Sequence, residues 1–343
     1  MTEMIELDGS QGEGGGQVLR TSLTLSMITG QPVRIKNIRA NRPKPGLMRQ
    51  HLVAVQAAAE ACGAETSDAA LGSRELAFRP GRIRAGDYSF AIGTAGSSML
   101  VLQTLMPALL FADGASTVKV SGGTHNPKAP PAEFLQRAYG RAMKLMGAEI
   151  DIQLNRHGFY PAGGGEVVAS VRPCAQLRHL DLMARGERTG AYAESFVAAV
   201  PPGVARRELD CVANAMGWGE DQLHVRPLPN DQGPGNALLL TLESEHVTEV
   251  FAAFGEKSVP AEMVARQAVN DARRYIASGA AVGEHLADQL MLPMALAGGG
   301  KFTVDRVSQH ALTNAEVIAR FLPVDIRFQA EERHSVCTVS QRM

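Results

Sequence analysis

Between Arg34 and Gln50 the chain carries Arg34, Lys36, Arg39, Arg42, Lys44 and Arg49 and neither Asp nor Glu. On a protein of net charge −1 this run is a local cationic patch, suited to one anionic group rather than to a long polyanion. Pro43 and Pro45 restrain the loop. Arg20, Arg39 and Arg42 can then converge on a phosphate, with Gln50 and His51 one helix turn away. Three glycine triplets, Gly14–Gly16, Gly163–Gly165 and Gly298–Gly300, offer either tight turns or backbone N–H groups for an anion. No lysine sits in Gly-x-x-x-x-Gly-Lys-Ser/Thr, because Gly300-Lys301 is followed by Phe302, and none sits in Lys-x-Asp-Gly. The spacing disfavours a P-loop and a lysyl-adenylate alike.

The elements that must hold these groups repeat with a period of 84 residues. Gly9, Gly12 and Gly30 map onto Gly93, Gly96 and Gly114, Pro43-Lys44 onto Pro127-Lys128, and Gly63-Ala64-Glu65 onto Gly147-Ala148-Glu149. Each unit reads as a strand (Met4–Asp8; Tyr88–Ile92), a glycine-rich turn and an apolar helix (Gln17–Thr29; Ser97–Ala112). A β-branched strand (Val33–Ile38; Thr117–Val120) and a second helix (Leu47–Cys62; Ala132–Met146) follow. The unit closes with strands Glu75–Phe78 in the first copy, and Glu149–Gln153 and Glu166–Val171 in the second. The order βαβαββ puts helices on one face of a mixed sheet. A third copy is split: its head lies near His179–Met183, and its tail runs from Gly279 through a helix to Ala297, a strand Lys301–Val304, a helix Thr313–Phe321 and strands Val324–Phe328 and Ser335–Val339. Between them, Arg185–Ala277 has its own strands (Ala191–Val200, Leu223–Pro227, Ala237–Glu243) and helices (Val204–Met216, Pro260–Ile276). The expectation is an α/β (α+β) chain with a large three-repeat domain, 1–184 plus 278–343, and an inserted small α+β domain, 185–277.

Composition agrees with two such units. The chain has 343 residues, 45% hydrophobic and 20% charged, enough to bury cores without disulfides. Aromatic residues are only 5% and glycine numbers 35, which favours sites lined by backbone. The acidic N-terminal segment reads as no signal peptide, and the longest nearly apolar stretch, Met99–Ala112, falls short of the ~20 residues of a bilayer span. Cys62, Cys174, Cys211 and Cys337 lie far apart without Cys-x-x-Cys, as expected of reduced thiols in the cytoplasm.

The run His157-Gly158-Phe159-Tyr160-Pro161-Ala162-Gly163-Gly164-Gly165-Glu166-Val167 resembles the signature of RNA 3′-terminal phosphate cyclases. Asp8–Arg20, Arg39–Leu47 and Gly283–Leu290 are similar to the same family, so the resemblance spans essentially the whole chain. It implies three βαβαββ repeats related to enolpyruvyl transferases plus a smaller inserted domain. It also implies a chemistry: ATP adenylylates a histidine, AMP moves to the 3′-phosphate of RNA, and the adjacent 2′-hydroxyl displaces AMP to leave a 2′,3′-cyclic phosphate. The matching histidine is His310, expected just before a helix, where backbone N–H groups can hold phosphate oxygens. An imidazole near its ordinary pKa of about 6.5 keeps a lone pair at cell pH. For ATP the resemblance implies Gln103, Pro130, Phe134 and the segment His285, Leu286, Ala287, Asp288 and Gln289; the family commonly has tyrosine where this chain has His285. Arg20, Arg39, Arg42, Gln50 and His51 are the expected grip on the substrate phosphate. Glu13 is the candidate ligand for Mg²⁺ or Mn²⁺, which needs few protein carboxylates when phosphates supply the rest. RNP-type aromatics are absent, so recognition should centre on the RNA end and its 2′-hydroxyl. A non-catalytic, cyclase-like ribosome-assembly factor that binds RNA is the alternative, and retention of His310, Glu13 and Arg20 speaks against it. An enolpyruvyl transferase is a third reading, opposed by the insertion and by the His157–Gly165 run.

Overall fold

The computed structural model describes residues 3–12 and 14–342. The first repeat consists of β1 (Ile5–Asp8), α1 (Gly16–Thr29), β2 (Val33–Lys36), α2 (Arg49–Cys62), β3 (Glu65–Ser67) and β4 (Leu76–Arg79), with sheet order β1-β2-β4-β3. The second has β5 (Asp87–Ala91), α3 (Ser98–Leu109), β6 (Ser116–Gly122), a helical segment made of α4 (Ala132–Phe134), Leu135–Tyr139 and α5 (Gly140–Leu145), then β7 (Ile150–Arg156) and β8 (Gly165–Val171), in order β5-β6-β8-β7. In both, the first pair is parallel and the next two are antiparallel. Alternation makes the sheets one-sided: Val118 and Val120 of β6 and Val167, Ala169 and Val171 of β8 all point into the core.

The third repeat opens with β9 (Leu180–Leu182) and then breaks. Its partners are β14 (Gly299–Val304), β15 (Val324–Ala330) and β16 (Ser335–Gln341), in order β15-β16-β14-β9, which is the same topology again. Its helices are α8 (Glu284–Leu296) and α9 (Gln309–Phe321). The break holds a fourth sheet, β11-β10-β12-β13, from β10 (Arg188–Ala198), β11 (Leu223–Pro227), β12 (Gly235–Ser244) and β13 (Thr248–Phe254), backed by α6 (Gly203–Met216) and α7 (Ala261–Ser278). The two chain crossings at the break meet at one hydroxyl: Thr303 Oγ1 donates to Met183 O (3.2 Å) and accepts from Ala281 N–H (2.7 Å).

Strand β12 explains how the fourth sheet is fastened. Leu238, Leu240 and Leu242 join Leu209, Val264 and Ala268 in a separate cluster, whereas Ala237 and Leu239 belong to the main core. Both faces are apolar because both are covered. The first helices of the repeats, α1, α3 and α8, are buried nearly all round, and their hydroxyls turn back on the helix or onto a neighbour: Ser22 donates to Val18 O and Thr24 to Thr104 O. Three expectations are corrected. The helix Ala132–Met146 contains a π-helical stretch, Leu135–Tyr139, closed by Gly140 N–H on Leu135 O. The helix expected from Thr313 starts at Gln309, because Ser308 accepts from Ala311 N–H (3.1 Å) and caps it there. Strand β13 has no counterpart in the elements expected between 185 and 277.

Candidate active site

A cavity of about 1120 Å³ lies where the repeats meet the fourth sheet. Four helices among the described residues open their N-termini onto it: Gly15 and Gly16 start α1, Met48 precedes α2, Gly283 precedes α8 and Ser308 precedes α9. The helix dipoles that converge here favour an anion in the cavity. Gly16 is required by space, since a Cβ there would lie 2.6 Å from His51 Nε2 and 2.7 Å from Arg20 Nη1. The bare backbone therefore sits against both side chains, and a phosphate can reach all three.

Arg20 is half-buried, and burial lowers its pKa to about 10 despite the nearby Asp288. Its Nη2 donates to Gln17 Oε1 (2.8 Å), and Gln17 Nε2 donates to Asp288 Oδ1 (3.4 Å). Asn314 Nδ2 donates to the Asp288 carbonyl (2.9 Å) and accepts at Oδ1 from Thr21 (2.7 Å), tying α1, α8 and α9 together. His310 occupies the first turn of α9, not the residue before the helix, and lines the cavity. Burial lowers its pKa, aided by Arg20, His285 and Arg42 and opposed by Asp288. Burial likewise raises Asp288. His51 is 4% exposed, and burial with the charges of Arg20 and Arg39 holds its pKa down to about 3, so Nδ1 stays free to accept Met48 N–H (3.2 Å).

The basic loop bends at Arg39, which has φ 53° and whose Nη1 donates to Lys44 O (2.6 Å) and Gly46 O (3.0 Å). Arg39 and Arg42 both line the cavity, and so does Gln50, whose Oε1 accepts Ser97 N–H (2.9 Å) at the start of α3. Gln103, Pro130, Phe134, His285, Asp288 and Gln289 form another part of the wall. Gln289 Oε1 is buried there without a hydrogen-bond partner. Leu286 and Ala287, at 0% and 1% exposure, lie in the core, while 285, 288 and 289 fall on the cavity side of α8. Glu13 lies outside the described residues. Among the described residues that line the cavity none belongs to 157–165 or to Gly298–Gly300. Gly158 and Gly165 serve a close backbone crossing instead, where a Cβ on Gly158 would lie 2.3 Å from Gly165 N.

The wall supplied by the fourth sheet was not anticipated. Arg274 of α7 bridges Asp271 (2.7 Å), Glu284 (3.0 Å) and Asp305 (3.1 Å), and Arg306 also pairs with Glu284 (2.5 Å). Glu249 of β13 is 2% exposed and its Oε1 accepts Gly283 N–H (2.6 Å) at the start of α8. These partners are distant in sequence and form no motif. Burial pushes Glu249 from its usual 4.5 up to about 8. The stability contributed by this protonated carboxyl is full below the unfolded value and is lost as pH rises through about 8. Thermal unfolding from pH 5.5 to 8.5 should therefore show a steeper fall in Tm for the parent than for Glu249→Gln, which keeps the acceptor and cannot ionise. Equal slopes would refute the assignment.

No helix among the described residues is long and apolar enough to cross a membrane. Among solved structures, EPSP synthase from Acinetobacter baumannii is 13% identical with TM-score 0.29, over 99% of this chain and 64% of that one. The enolpyruvyl transferase NikO from Streptomyces tendae is 11% identical with TM-score 0.27, over 100% and 66%. A protein from Ralstonia nicotianae named RNA 3′-terminal phosphate cyclase is 59% identical over 336 residues, covering 98% of this chain and 96% of its own length. The family model described as RNA 3′-terminal phosphate cyclase matches residues 11–328, which include every helix start around the cavity. On that match, spanning all three repeats and the fourth sheet, the chain belongs to the RNA 3′-terminal phosphate cyclase family.

Proposed function

We propose that this protein converts the 3′-terminal phosphate of RNA to a 2′,3′-cyclic phosphodiester at the expense of ATP, with His310 as the adenylate carrier. The observation that carries this reading is His310 on an anion-collecting cavity in a chain 59% identical to a named cyclase. In the first step a neutral His310 nitrogen attacks the α-phosphorus of ATP, a P–N bond forms, and the P–O bond to pyrophosphate breaks. In the second, an oxygen of the RNA 3′-phosphate takes the adenylyl group and His310 is released. In the third, the 2′-oxygen attacks the 3′-phosphorus, loses its proton, and AMP leaves.

The residues present suit an adenine nucleotide. The unpartnered Gln289 Oε1 can accept from an adenine amino group, Asp288 can accept from ribose hydroxyls, and Gln103, Pro130, Phe134 and His285 complete that part of the wall. Leu286 and Ala287 act through the core, by anchoring α8. Arg20, His51 and the Gly16 backbone favour phosphate oxygens, and Arg39, Arg42 and Gln50 favour the RNA terminus. A divalent ion, Mg²⁺ or Mn²⁺, would offset phosphate charge, with Glu13 as its proposed ligand. The free cysteines Cys62, Cys174, Cys211 and Cys337 support the cytoplasm as the compartment.

The test is incubation with α-labelled ATP followed by a 3′-phosphorylated oligonucleotide. An acid-labile, alkali-stable label on the protein, chased into AMP as the oligonucleotide acquires a cyclic end, is expected. Absence of covalent label would return the chain to the non-catalytic RNA-binding alternative.

A further inference from the structure

The His157–Gly165 run, the most distinctive in the sequence, does not line the cavity, and its His157 instead joins a cluster with His125 and Glu133. It is the one group of His, Cys, Asp and Glu among the described residues whose ligand atoms all lie within 4.8 Å of one another. His125 Nε2 is 2.8 Å from Glu133 Oε2, and His157 Nε2 is 3.9 Å from Glu133 Oε1. Each histidine thus meets its own Glu133 oxygen, and a small turn of the carboxylate sets one oxygen near the ~3.3 Å expected between donors around a tetrahedral ion with bonds of about 2.0–2.1 Å. His157 Nε2 is buried and has no hydrogen-bond partner. We propose that His125 Nε2, His157 Nε2 and a Glu133 carboxylate oxygen bind a divalent transition-metal ion, zinc by preference, beside the segment that lends Pro130 and Phe134 to the cavity.

The surroundings are those of a built site. With a metal on Nε2, His125 Nδ1–H donates to Thr124 Oγ1 (2.9 Å), which also accepts Gly158 N–H (2.9 Å), fixing the ring. His157 is positioned by its backbone N–H on Gln232 Oε1 (3.1 Å). Phe159 and Phe196 cover the two imidazoles, at 5.4 Å from His125 and His157 respectively. Two imidazole nitrogens and one carboxylate suit zinc, whereas Mg²⁺ prefers oxygen and keeps its waters. Binding releases the proton held between His125 and Glu133 and leaves a fourth position for water. The ion would join the 124–134 segment to the β7–β8 connection, and Gln232 extends the link to the fourth sheet.

The test uses the full chain, stripped with a chelator, dialysed and titrated with Co²⁺ without ATP. One equivalent should bind with a visible band of tetrahedral character, displaced by Zn²⁺ and not by Mg²⁺. His157→Gln should weaken binding by more than about 100-fold, beyond the 10–100-fold typical of losing an outer partner. His310→Asn and His224→Gln should keep the band, which separates this site from the cavity and from chance histidines. A band that survives in the His125→Gln/His157→Gln variant, or no stoichiometric band in the parent, would overturn the proposal. If the histidine variants do not fold, the parent decides: zinc must raise its Tm and a chelator must reverse the rise, and a Tm indifferent to both overturns it.

Discussion

His310→Asn should carry no covalent AMP and form no cyclic ends, a loss on the order of 10³-fold or more, as expected when a covalent nucleophile is removed. The fold should survive, because the His310 side chain, though partly desolvated by the cavity wall, keeps an exposed edge in the first turn of α9, where asparagine is tolerated. Surface changes of this kind cost within about 0.5 kcal/mol, so unfolding curves of variant and parent should coincide. A pH series adds a second reading. Burial, opposed by Asp288 and aided by Arg20, His285 and Arg42, lowers the His310 pKa and so favours the unprotonated ring that the proposed attack needs. Self-labelling in the parent should hold its plateau to below pH 6.5 and fall only where the lowered group gains its proton. Undiminished label on His310→Asn would remove the residue from the mechanism.

Arg42→Ala and Arg39→Ala should uncouple the two halves of the reaction. Self-labelling should stay within a few-fold of the parent, while transfer to RNA and cyclisation fall. Loss of a charge-assisted phosphate contact is worth about 1.5–3 kcal/mol, or roughly 10- to 150-fold, and the defect should deepen with salt. The two positions differ in one respect. Arg39 also holds its loop through Lys44 O and Gly46 O, so Arg39→Lys should rescue poorly, since one ammonium cannot reproduce a planar fork that serves carbonyls and phosphate together. Single-turnover assays that follow label on protein, then on RNA, then cyclic product resolve these steps. Equal loss of self-labelling would assign the arginines to ATP or to the loop alone.

The repeat was legible because glycine and proline punctuate it: Gly63 and Gly147 both adopt positive φ after a helix, as their shared Gly-Ala-Glu context suggests. The arginine loop was legible because six cations without an acid need no fold to be seen. The side of α8 facing the cavity was legible only in part: Leu286 and Leu290 read as core and are buried, whereas the phase that sets Ala287 inward and His285, Asp288 and Gln289 outward has meaning only once the core is known. Ser308 as a cap was hidden because the apolar pattern of α9 begins later, at Ala311. Strand β13, Thr-Glu-Val-Phe-Ala-Ala-Phe, carries glutamate and two alanines, poor strand formers, and is made a strand by pairing with β12. Its Glu249, and Arg274 of α7, reach the cavity only through that packing.

The split third repeat bears on how the protein is made. Strand β9 leaves the ribosome early, yet its strand partner, β14, lies beyond the whole fourth sheet and two further helices. At synthesis rates of about 5–20 residues per second, the intervening chain of more than a hundred residues takes roughly 5–25 s to appear. Through that interval β9 is an unpaired edge, whereas the fourth sheet can already dock on the 132–145 segment of the second repeat, where Arg137 meets Glu194 and Arg141 meets Thr248. The starts of α8 and α9 are translated later still, so the cavity between the repeats cannot close until the third repeat is complete.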